Sequence, residues 1–529
     1  MSSYLQKILN NINGDSAPLE LQGLAGSSKA LIVSMLSKIS GQSPSETSPV
    51  VVVCESFDIA EVLLHDIYYY FGREGVYFFP FWDVLPYDNF SPHKDLTAQR
   101  FQTLDALLHH QARILITTPN ALMQCFLPRN DFLKNTITLT NEFVGSPDEI
   151  EKQLLNSGYI QVDVVEELGE FSTHGGILDV FPLNLEKPVR IEFSENSKVH
   201  FLKPFDIQTQ HTDQTELSSL KILPAGEILF NQENIDFARK SLPEYRKECA
   251  PEVLLRLRQS LQKKEGFPGI ESLSPLFYPE LETLFDYFPD ELILIIDEEK
   301  NVNKRADSFY QEVFMEYEIS TQQNKLTLSP ESLFLTHREL QNNLTKHVKL
   351  VLNSMKINNT KARTVHQLQF ADNKSLRNQF EGAKATSAVG HMVQLLQKWQ
   401  SSGTPVLLNA KNQTHADGFQ QLLEDLGIES TAAGDQLTTN RSPWLDWLEK
   451  IDTKITSGSI PILTGKVSSG FRKLDSKGEA IFVLLTEEEV FGEKTRNRRL
   501  QRAQVHQNAG KLDDLREGDH VVHLDYGIG

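Results

Sequence analysis

The 529-residue sequence contains only three cysteines, and they are far apart. Cys54, Cys125 and Cys249 form no CxxC pair and have no histidine at the spacing of a zinc site. This scarcity excludes a disulfide framework and a structural zinc as organising features. We expect three reduced thiols packed in apolar surroundings.

Long apolar runs and a positive charge balance are also missing. No segment approaches the ~18 apolar residues of a membrane-spanning helix, and the first residues show no basic segment followed by an apolar one. Acidic residues outnumber basic ones, 71 to 52, for a formal net charge of −19. A broad DNA-binding surface needs clustered Lys and Arg, so protein partners are the better expectation. We accordingly expect a soluble, cytoplasmic protein.

Length and patterning together predict several α/β domains. The size of the chain exceeds one hydrophobic core and suggests roughly three to five domains. Up to about residue 125, strand and helix patterns alternate, from the β-branched run PVVVVCESF at 49–57 to ARILITTP at 112–119. Such alternation predicts a parallel sheet with crossover helices. We therefore predict a multidomain α/β fold whose first part is a degenerate P-loop or RecA-like parallel-sheet domain.

The stretch GLAGSSKALI, residues 23–32, has nearly the outline of a phosphate-binding loop. Such a loop uses glycines to turn backbone N–H groups onto phosphates, a lysine to reach the β and γ oxygens, and a Ser or Thr hydroxyl to hold Mg²⁺. Gly23, Gly26 and Lys29 are present, but a serine precedes the lysine and Ala30 follows it. We predict a structural turn, with weak nucleotide binding as the alternative.

After about residue 125 the pattern changes to short strands separated by turns. One helix, SPDEIEKQLLNSG, begins with Ser146 and Glu149 at the spacing of a capping box. We interpret this part as a small α+β module inserted into the first domain. The boundaries that we predict are 1–125 and 213–345 for the two parts of the first domain, 126–212 for the module, 346–480 for an α/β domain of unknown function, and 481–529 for a linker and the truncated start of another domain.

Two further stretches have both a functional and a plain structural interpretation. ELILIIDEE is an apolar strand ending in Asp297 and Glu298, as in a Walker B segment whose carboxylates hold Mg²⁺ and polarise water. We favour a buried strand with solvated acids at its end, because the loop that would deliver phosphates is defective. The basic run KTRNRRLQR, residues 494–502, suits a nucleic-acid contact or a solvated helix or linker, and we favour the second.

Four further stretches follow one another along the chain: FPFWDVLPYDNFSPHKDLTAQRFQTL, GEFSTHGGILDVFP followed by PVRIEF, GIESLSPLFYPELETLFDYFPDELIL, and LREGDHVVHLDYGIG. In this order they resemble the Mfd family of bacterial transcription-repair coupling factors. The resemblance extends from about residue 20 to the last residue, and residues 1–345 are also similar to the excision-repair helicase UvrB. It implies a UvrB-like cassette that has lost its ATPase, with a UvrA-binding module inserted in it.

The resemblance implies where UvrA would bind. The family places an arginine in the strand matched by VRIEF, here Arg190, and usually another where this chain has His174. Its aromatic position falls on Phe193 or the next residue, where Ser194 replaces a second Phe. We therefore expect Arg190, His174, Phe193 and Ser194 to form the UvrA contact, and we expect no catalytic residue, bound cofactor or metal in this chain.

The resemblance also implies a place in a larger protein. The chain looks like the N-terminal half of a coupling factor, a monomeric recruitment and autoinhibitory module. Its last residues, from near 512, resemble the start of a domain that binds the RNA polymerase β subunit. ATP, Mg²⁺ and double-stranded DNA would be used by translocase domains beyond residue 529, which displace stalled polymerase. The alternatives are a UvrB-like ATPase using Lys29, Asp297 and Glu298, and a DNA-binding clamp.

Overall fold

A computed structural model of the chain describes residues 18–40, 48–88, 90–194, 198–245, 251–323, 327–355, 363–374, 376, 385–432, 442, 444, 459–491, 522–523 and 527–528. It confirms the predicted α/β class, with one large parallel sheet, a smaller module and a second α/β unit. The basic run at 494–502 and Cys249 lie outside the described residues. Within them, no helix is both long and apolar enough to cross a membrane.

The central sheet has seven strands, all paired in parallel. Val50 to Val53, four consecutive valines, are completely buried because helices or other chain segments cover both faces of the sheet. The strand that leads into the phosphate-loop stretch is separated from the Walker B-like strand by one other strand. The order across the sheet is Thr364–Gln367, Leu19–Gln22, Val348–Asn353, Ile293–Asp297, Val50–Val53, Ile114–Thr117 and Val76–Phe79.

Two hydrophobic clusters lie on opposite faces of this sheet. Val51 and Val53 point into one, which reaches the helices after residue 230, and Val50 and Val52 point into the other. The second cluster includes side chains of the second α/β unit, so the two α/β units share a core. The α-helices of the first unit are Ser28–Ser40, Phe57–Tyr70, Lys94–Leu108, Pro119–Met123, Arg129–Lys134, Gln232–Ser241, Pro251–Lys263, Leu284–Tyr287, Glu299–Gln322, Pro330–Leu333 and His337–His347, with 3₁₀ helices at Leu242–Tyr245 and Ile270–Leu276.

The inserted module, residues 137–222, is a small α+β unit. Its helix Pro147–Asn156 begins with the predicted capping box, since the Ser146 and Glu149 side chains each accept a hydrogen bond from the other residue's backbone. Its last strand lies beyond residue 212 and pairs with its first. The sheets are Val199–Pro204, Val189–Phe193, Ile177–Val180, Glu170–His174 and Ile160–Gln161 in that order, and the antiparallel pair Ile137–Thr140 with Ser219–Ile222.

The second α/β unit comprises the described residues from 370 to 491. Its six-stranded sheet is parallel at one end and antiparallel at the other. Its helices are Ala385–Ser401, Gln413–Asp425 and Glu487–Phe491, and its strands run in the order Phe370–Ala371, Phe471–Leu474, Ala480–Thr486, Val406–Ala410, Ile460–Thr464 and Ser430–Ala432. Further on, the short strands Val522–His523 and Gly527–Ile528 form an antiparallel pair.

Candidate functional sites: the phosphate-loop stretch and the inserted module

The phosphate-loop stretch forms a tight connection between the first strand and the first helix. At Gly23 and Gly26 the backbone φ is +74° and +55°, a left-handed conformation that glycine adopts without strain. A side chain would also collide with a backbone carbonyl at both positions, that of Leu368 at position 23 and that of Gly470 at position 26. The glycines therefore serve both the turn and the close approach of later parts of the chain.

Several backbone N–H groups of this stretch already donate to protein acceptors. The N–H of Ala25 donates to Oγ of Ser28 at 3.0 Å, and the N–H of Ser28 donates to the carbonyl of Ala25 at 3.2 Å. The N–H of Ser27 donates to the carbonyl of Ser469, in the second α/β unit, at 3.3 Å. In a working phosphate loop such groups point at phosphate oxygens. Here they bind the protein itself.

The side chain of Ser27 strengthens this contact with the second unit. Its Oγ donates to the carbonyl of Ser469 at 2.7 Å. The same Oγ lies 2.7 Å from the hydroxyl of Tyr70, and because its single proton is used, Tyr70 is the donor of that bond. Tyr70 is fully buried, so the chain of hydrogen bonds lies inside the protein.

Two carboxylates hold the loop of the second unit that contains Ser469. We call residues 466–470 the covering loop. Ser468 donates its backbone N–H and its hydroxyl to Asp66 of the first unit, both at 2.6 Å. The N–H of Gly470 donates to Glu489 of the second unit at 2.9 Å. The covering loop is thus fixed from both units.

Lys29 is brought together with the two acids of the Walker B-like strand, as the ATPase alternative requires. Its Nζ lies 2.5 Å from Oδ1 of Asp297 and 2.8 Å from Oε1 of Glu298. Asp297 is buried. Glu298 also accepts a hydrogen bond from the backbone N–H of Ser354 at 2.7 Å. The cluster has one positive and two negative groups. Ala30, in the position after the lysine, provides no hydroxyl for a metal.

The pKa values of these groups follow from burial and pairing. Burial raises the pKa of Asp297 more than Lys29 lowers it. Burial alone would raise the pKa of Glu298, but hydrogen bonds from Lys29 and Ser354 lower it overall. Burial would likewise lower the pKa of Lys29, yet Asp297 and Glu298 raise it. The lysine therefore stays charged, and its charge is neutralised within the protein.

Asp66 gives a pH-dependent prediction. Burial raises the pKa of Asp66 to about 6, against partial compensation by Ser468. A raised acid pKa stabilises the folded protein at low pH, and this contribution is lost as the pH rises through about 6. Asp66→Asn keeps the shape of the side chain but cannot titrate. Between pH 4 and pH 7 we therefore expect the unfolding free energy of the wild type to fall by up to about 3 kcal/mol relative to that of Asp66→Asn. Urea unfolding of both proteins at each pH measures this, and a difference that does not change with pH would contradict it.

The inserted module presents two rows of residues on the outer face of its five-stranded sheet. Directly paired residues share a face of a sheet. The strand register places Ser172, Asp179, Arg190 and Lys203 side by side in the first row. The second, more exposed row contains His174, Ile177, Glu192 and Phe201.

Arg190 is bound within the module. Its Nε and Nη2 donate to the two carboxylate oxygens of Asp179 at 2.8 and 2.7 Å, a bidentate geometry. Its guanidinium also lies over the ring of Phe205, 4.9 Å from the centroid, and donates to the carbonyl of Gln210 at 3.3 Å. The Arg190 side chain is 23% exposed. Its edge is accessible to a partner, but the side chain also stabilises the module.

The other residues expected at the UvrA contact lie apart from Arg190. His174 is exposed, and its Nε2 lies 3.0 Å from the carbonyl of Asp163. Ser194 is exposed, and its Oγ donates a hydrogen bond to the carbonyl of Lys198 and accepts one from the N–H of Lys198. Phe193 lies in the module core, 8% exposed, because alternation along VRIEF directs it away from Arg190. The register instead places Phe201 on the face that carries Arg190, beside Glu192.

The sequence is similar to a known domain family and to several known proteins. A family described as "UvrB interaction domain" matches residues 137–227, which contain the whole inserted module. Proteins named transcription-repair-coupling factor match most of the chain. Those of Haemophilus influenzae, Myxococcus xanthus and Escherichia coli are 27%, 26% and 27% identical over 87%, 96% and 91% of this chain.

The chain is similar over most of its length to proteins named transcription-repair-coupling factor. It spans about two fifths of the length of these relatives: 38%, 42% and 39% for the three proteins. The resemblance based on sequence motifs is thus confirmed. One of the stretches that carry the resemblance, FPFWDVLPYDNF with its following helix, supplies a buried cluster in which Trp82 and Arg100 both bind Glu227.

The stretches that carry the resemblance do not contain all the residues that shape these two sites. Asp66, Ser469 and Glu489 fix the covering loop, but none belongs to a motif that we recognised. Asp179 pairs with Arg190, and it lies in GILDVFP, where an acid in an apolar strand is a usable signal for a buried partner. For the covering loop no such signal exists, since most of its contacts use backbone groups.

Proposed function

We propose that this chain is the part of a transcription-repair coupling factor that recruits the excision-repair machinery, and that its inserted module binds UvrA. The observation that carries this proposal is the match of the UvrB interaction domain to residues 137–227, together with relatives named as coupling factors. The outer face of the module supports it. A sheet face with the edge of an arginine, an exposed histidine and a half-buried phenylalanine ring suits a protein partner, because arginine and aromatic residues are enriched at interfaces.

The decisive experiment separates a contact role of Arg190 from its structural role. Arg190→Met leaves the buried Asp179 without its cation, so loss of UvrA binding alone would not distinguish the two. Asp179→Asn combined with Arg190→Met removes both charges. We expect the double variant to recover the thermal midpoint of the module, yet to bind UvrA at least about tenfold more weakly than the wild type, as for loss of one charged contact.

A matched control lies on the same module. Lys187 forms an exposed ion pair with Asp213 at 2.9 Å, so Lys187→Met should change neither folding nor UvrA affinity. Binding is measured by surface plasmon resonance with purified UvrA. Wild-type affinity of a folded double variant would remove Arg190 from the contact, and absence of binding by the unaltered chain would overturn the proposal.

The remaining parts of the larger protein complete this proposal. The residues from near 512 would begin a domain for the RNA polymerase β subunit, and translocase domains beyond residue 529 would use ATP and Mg²⁺ to move on double-stranded DNA. Within that protein the UvrA-binding face would be masked by the C-terminal region until activation. We also propose that the chain is a monomer.

We further propose that the phosphate-loop stretch has no ATPase activity. Three features support this: the bonded N–H groups of Ala25, Ser27 and Ser28, the missing hydroxyl at Ala30, and the net negative charge around Lys29. We expect isothermal titration with Mg-ATP at millimolar concentrations to show no saturable heat. Saturable, Mg²⁺-dependent binding that Lys29→Met abolishes would instead support the ATPase alternative.

A further inference from the structure

The second α/β unit has no assigned role, yet its covering loop lies against the phosphate-loop stretch. The carbonyl of Ser469 accepts two hydrogen bonds from Ser27, one from the backbone N–H and one from Oγ. The carbonyl of Gly470 closes off the same turn, because it would collide with a Cβ at Gly26. The carbonyl of Ser469 is thus an acceptor facing donors of a strand-to-helix turn, which is the arrangement that a nucleotide phosphate has in a P-loop.

We propose that the covering loop is a built-in occupant of the phosphate-loop stretch, so that residues 466–470 take the place of nucleotide phosphates and couple the two α/β units permanently. In a nucleotide-driven pair of α/β units, closure of the interface depends on a ligand that comes and goes. Here the acceptors are covalently part of the second unit. The role of the second unit is therefore to keep the interface between the two units closed.

The anchoring of the covering loop agrees with this role. Backbone carbonyls are neutral, unlike phosphates, so they leave the charge of Lys29 unmatched, and Asp297 and Glu298 neutralise it instead. Asp66 and Glu489 bind N–H groups of the covering loop, so the carbonyls of the same loop are directed to Ser27 and Gly26. Apolar packing supports the contact, because Phe471, next to the loop, is fully buried in the cluster that both units share.

The test uses glycine substitutions with matched backbone strain. Gly26→Ala places a methyl group against the carbonyl of Gly470 and should displace the covering loop. Gly403→Ala, in the second unit, has a similar left-handed φ of +70° but meets no atom within 4 Å, so it reports strain alone. We expect amide hydrogen exchange at 466–470 to become at least about tenfold faster in Gly26→Ala than in Gly403→Ala, since exchange reports local opening.

A second variant keeps the test decisive if Gly26→Ala perturbs the turn itself. Asp66→Ala removes the acceptor of both Ser468 bonds without touching the phosphate-loop stretch. We expect it to accelerate exchange at 466–470 and at Ser27, while the central strand at Val50–Val53 stays protected. Unchanged exchange at Ser27 in Asp66→Ala, or equal exchange in the two glycine variants, would overturn the proposal. UvrA binding should be unchanged in all three variants, because the inserted module is not part of this contact.

Discussion

Arg100→Met is expected to lower the free energy of unfolding of the first α/β unit by about 3–5 kcal/mol, the usual effect of removing one partner from a buried ion pair. Arg100 and Glu227 are 1% and 4% exposed, and Arg100 Nε lies 2.8 Å from Oε1 of Glu227. The same oxygen accepts from Nε1 of Trp82 at 3.1 Å. Without the guanidinium, the carboxylate would remain as an unpaired buried charge.

The surroundings of this pair leave little room for compensation. Arg100 is stacked on the rings of Phe79 and Phe126, with its guanidinium carbon 4.4 and 5.0 Å from their centroids. Met fills part of that space but offers no donor. Urea unfolding followed by circular dichroism measures the effect.

Two further variants show whether the unpaired charge is the cause. Arg100→Met combined with Glu227→Leu removes both charges, and we expect it to recover much of the lost stability. Arg305→Met breaks a more exposed pair with Glu312, at 2.7 Å, and should change stability by no more than about 1 kcal/mol. If the double variant were as unstable as Arg100→Met, lost packing rather than the buried charge would explain the result.

Lys29→Met is expected to have the second largest effect, about 3 kcal/mol near pH 7.5, because it leaves the buried Asp297 without its cation. The unpaired carboxyl would take up a proton more readily than in the wild type. Its stabilising, neutral form is then lost as the pH rises, so the deficit of Lys29→Met should grow between pH 5 and pH 8. Unfolding midpoints across this range measure the trend.

A double-mutant cycle isolates this interaction. Asp297→Asn combined with Lys29→Met should be destabilised by less than the sum of the two single variants, since neither charge remains. Lys187→Met, which affects an exposed pair, serves as the control for removal of a lysine charge. Additive effects would show that Lys29 and Asp297 do not depend on each other for stability.

Much of the fold could be predicted because its signals are local. Alternating strand and helix patterns indicated the parallel sheet, and the runs at Val50–Val53 and Ile114–Thr117 are central strands in it. Ser146 and Glu149 predicted a helix start, which the structure confirms. These features depend on spacing within a few residues, and hydrophobic periodicity and capping record that spacing directly.

The covering loop could not be predicted for the opposite reason. Ser27 and Ser469 are 442 residues apart, and both bonds between them end on a backbone carbonyl, a group that every residue type has. Phe193 is a different case. Period-two alternation in VRIEF places Phe193 and Arg190 on opposite faces of the sheet, so the sequence itself predicts that Phe193 is buried. The family pattern instead predicted that Phe193 lies at the UvrA contact.

The inserted module is attached to the first α/β unit by two chain crossings and several side-chain bonds. Lys221 pairs with Asp105 at 3.1 Å, Gln102 donates to the carbonyl of Leu183 at 2.9 Å, and the backbone of Ala225 donates to that of Ser157 at 2.8 Å. Such an attachment fixes the module rigidly on the first α/β unit, unlike a flexible linker. If the module binds a partner as proposed, that partner would be held at a set distance and orientation from the first α/β unit.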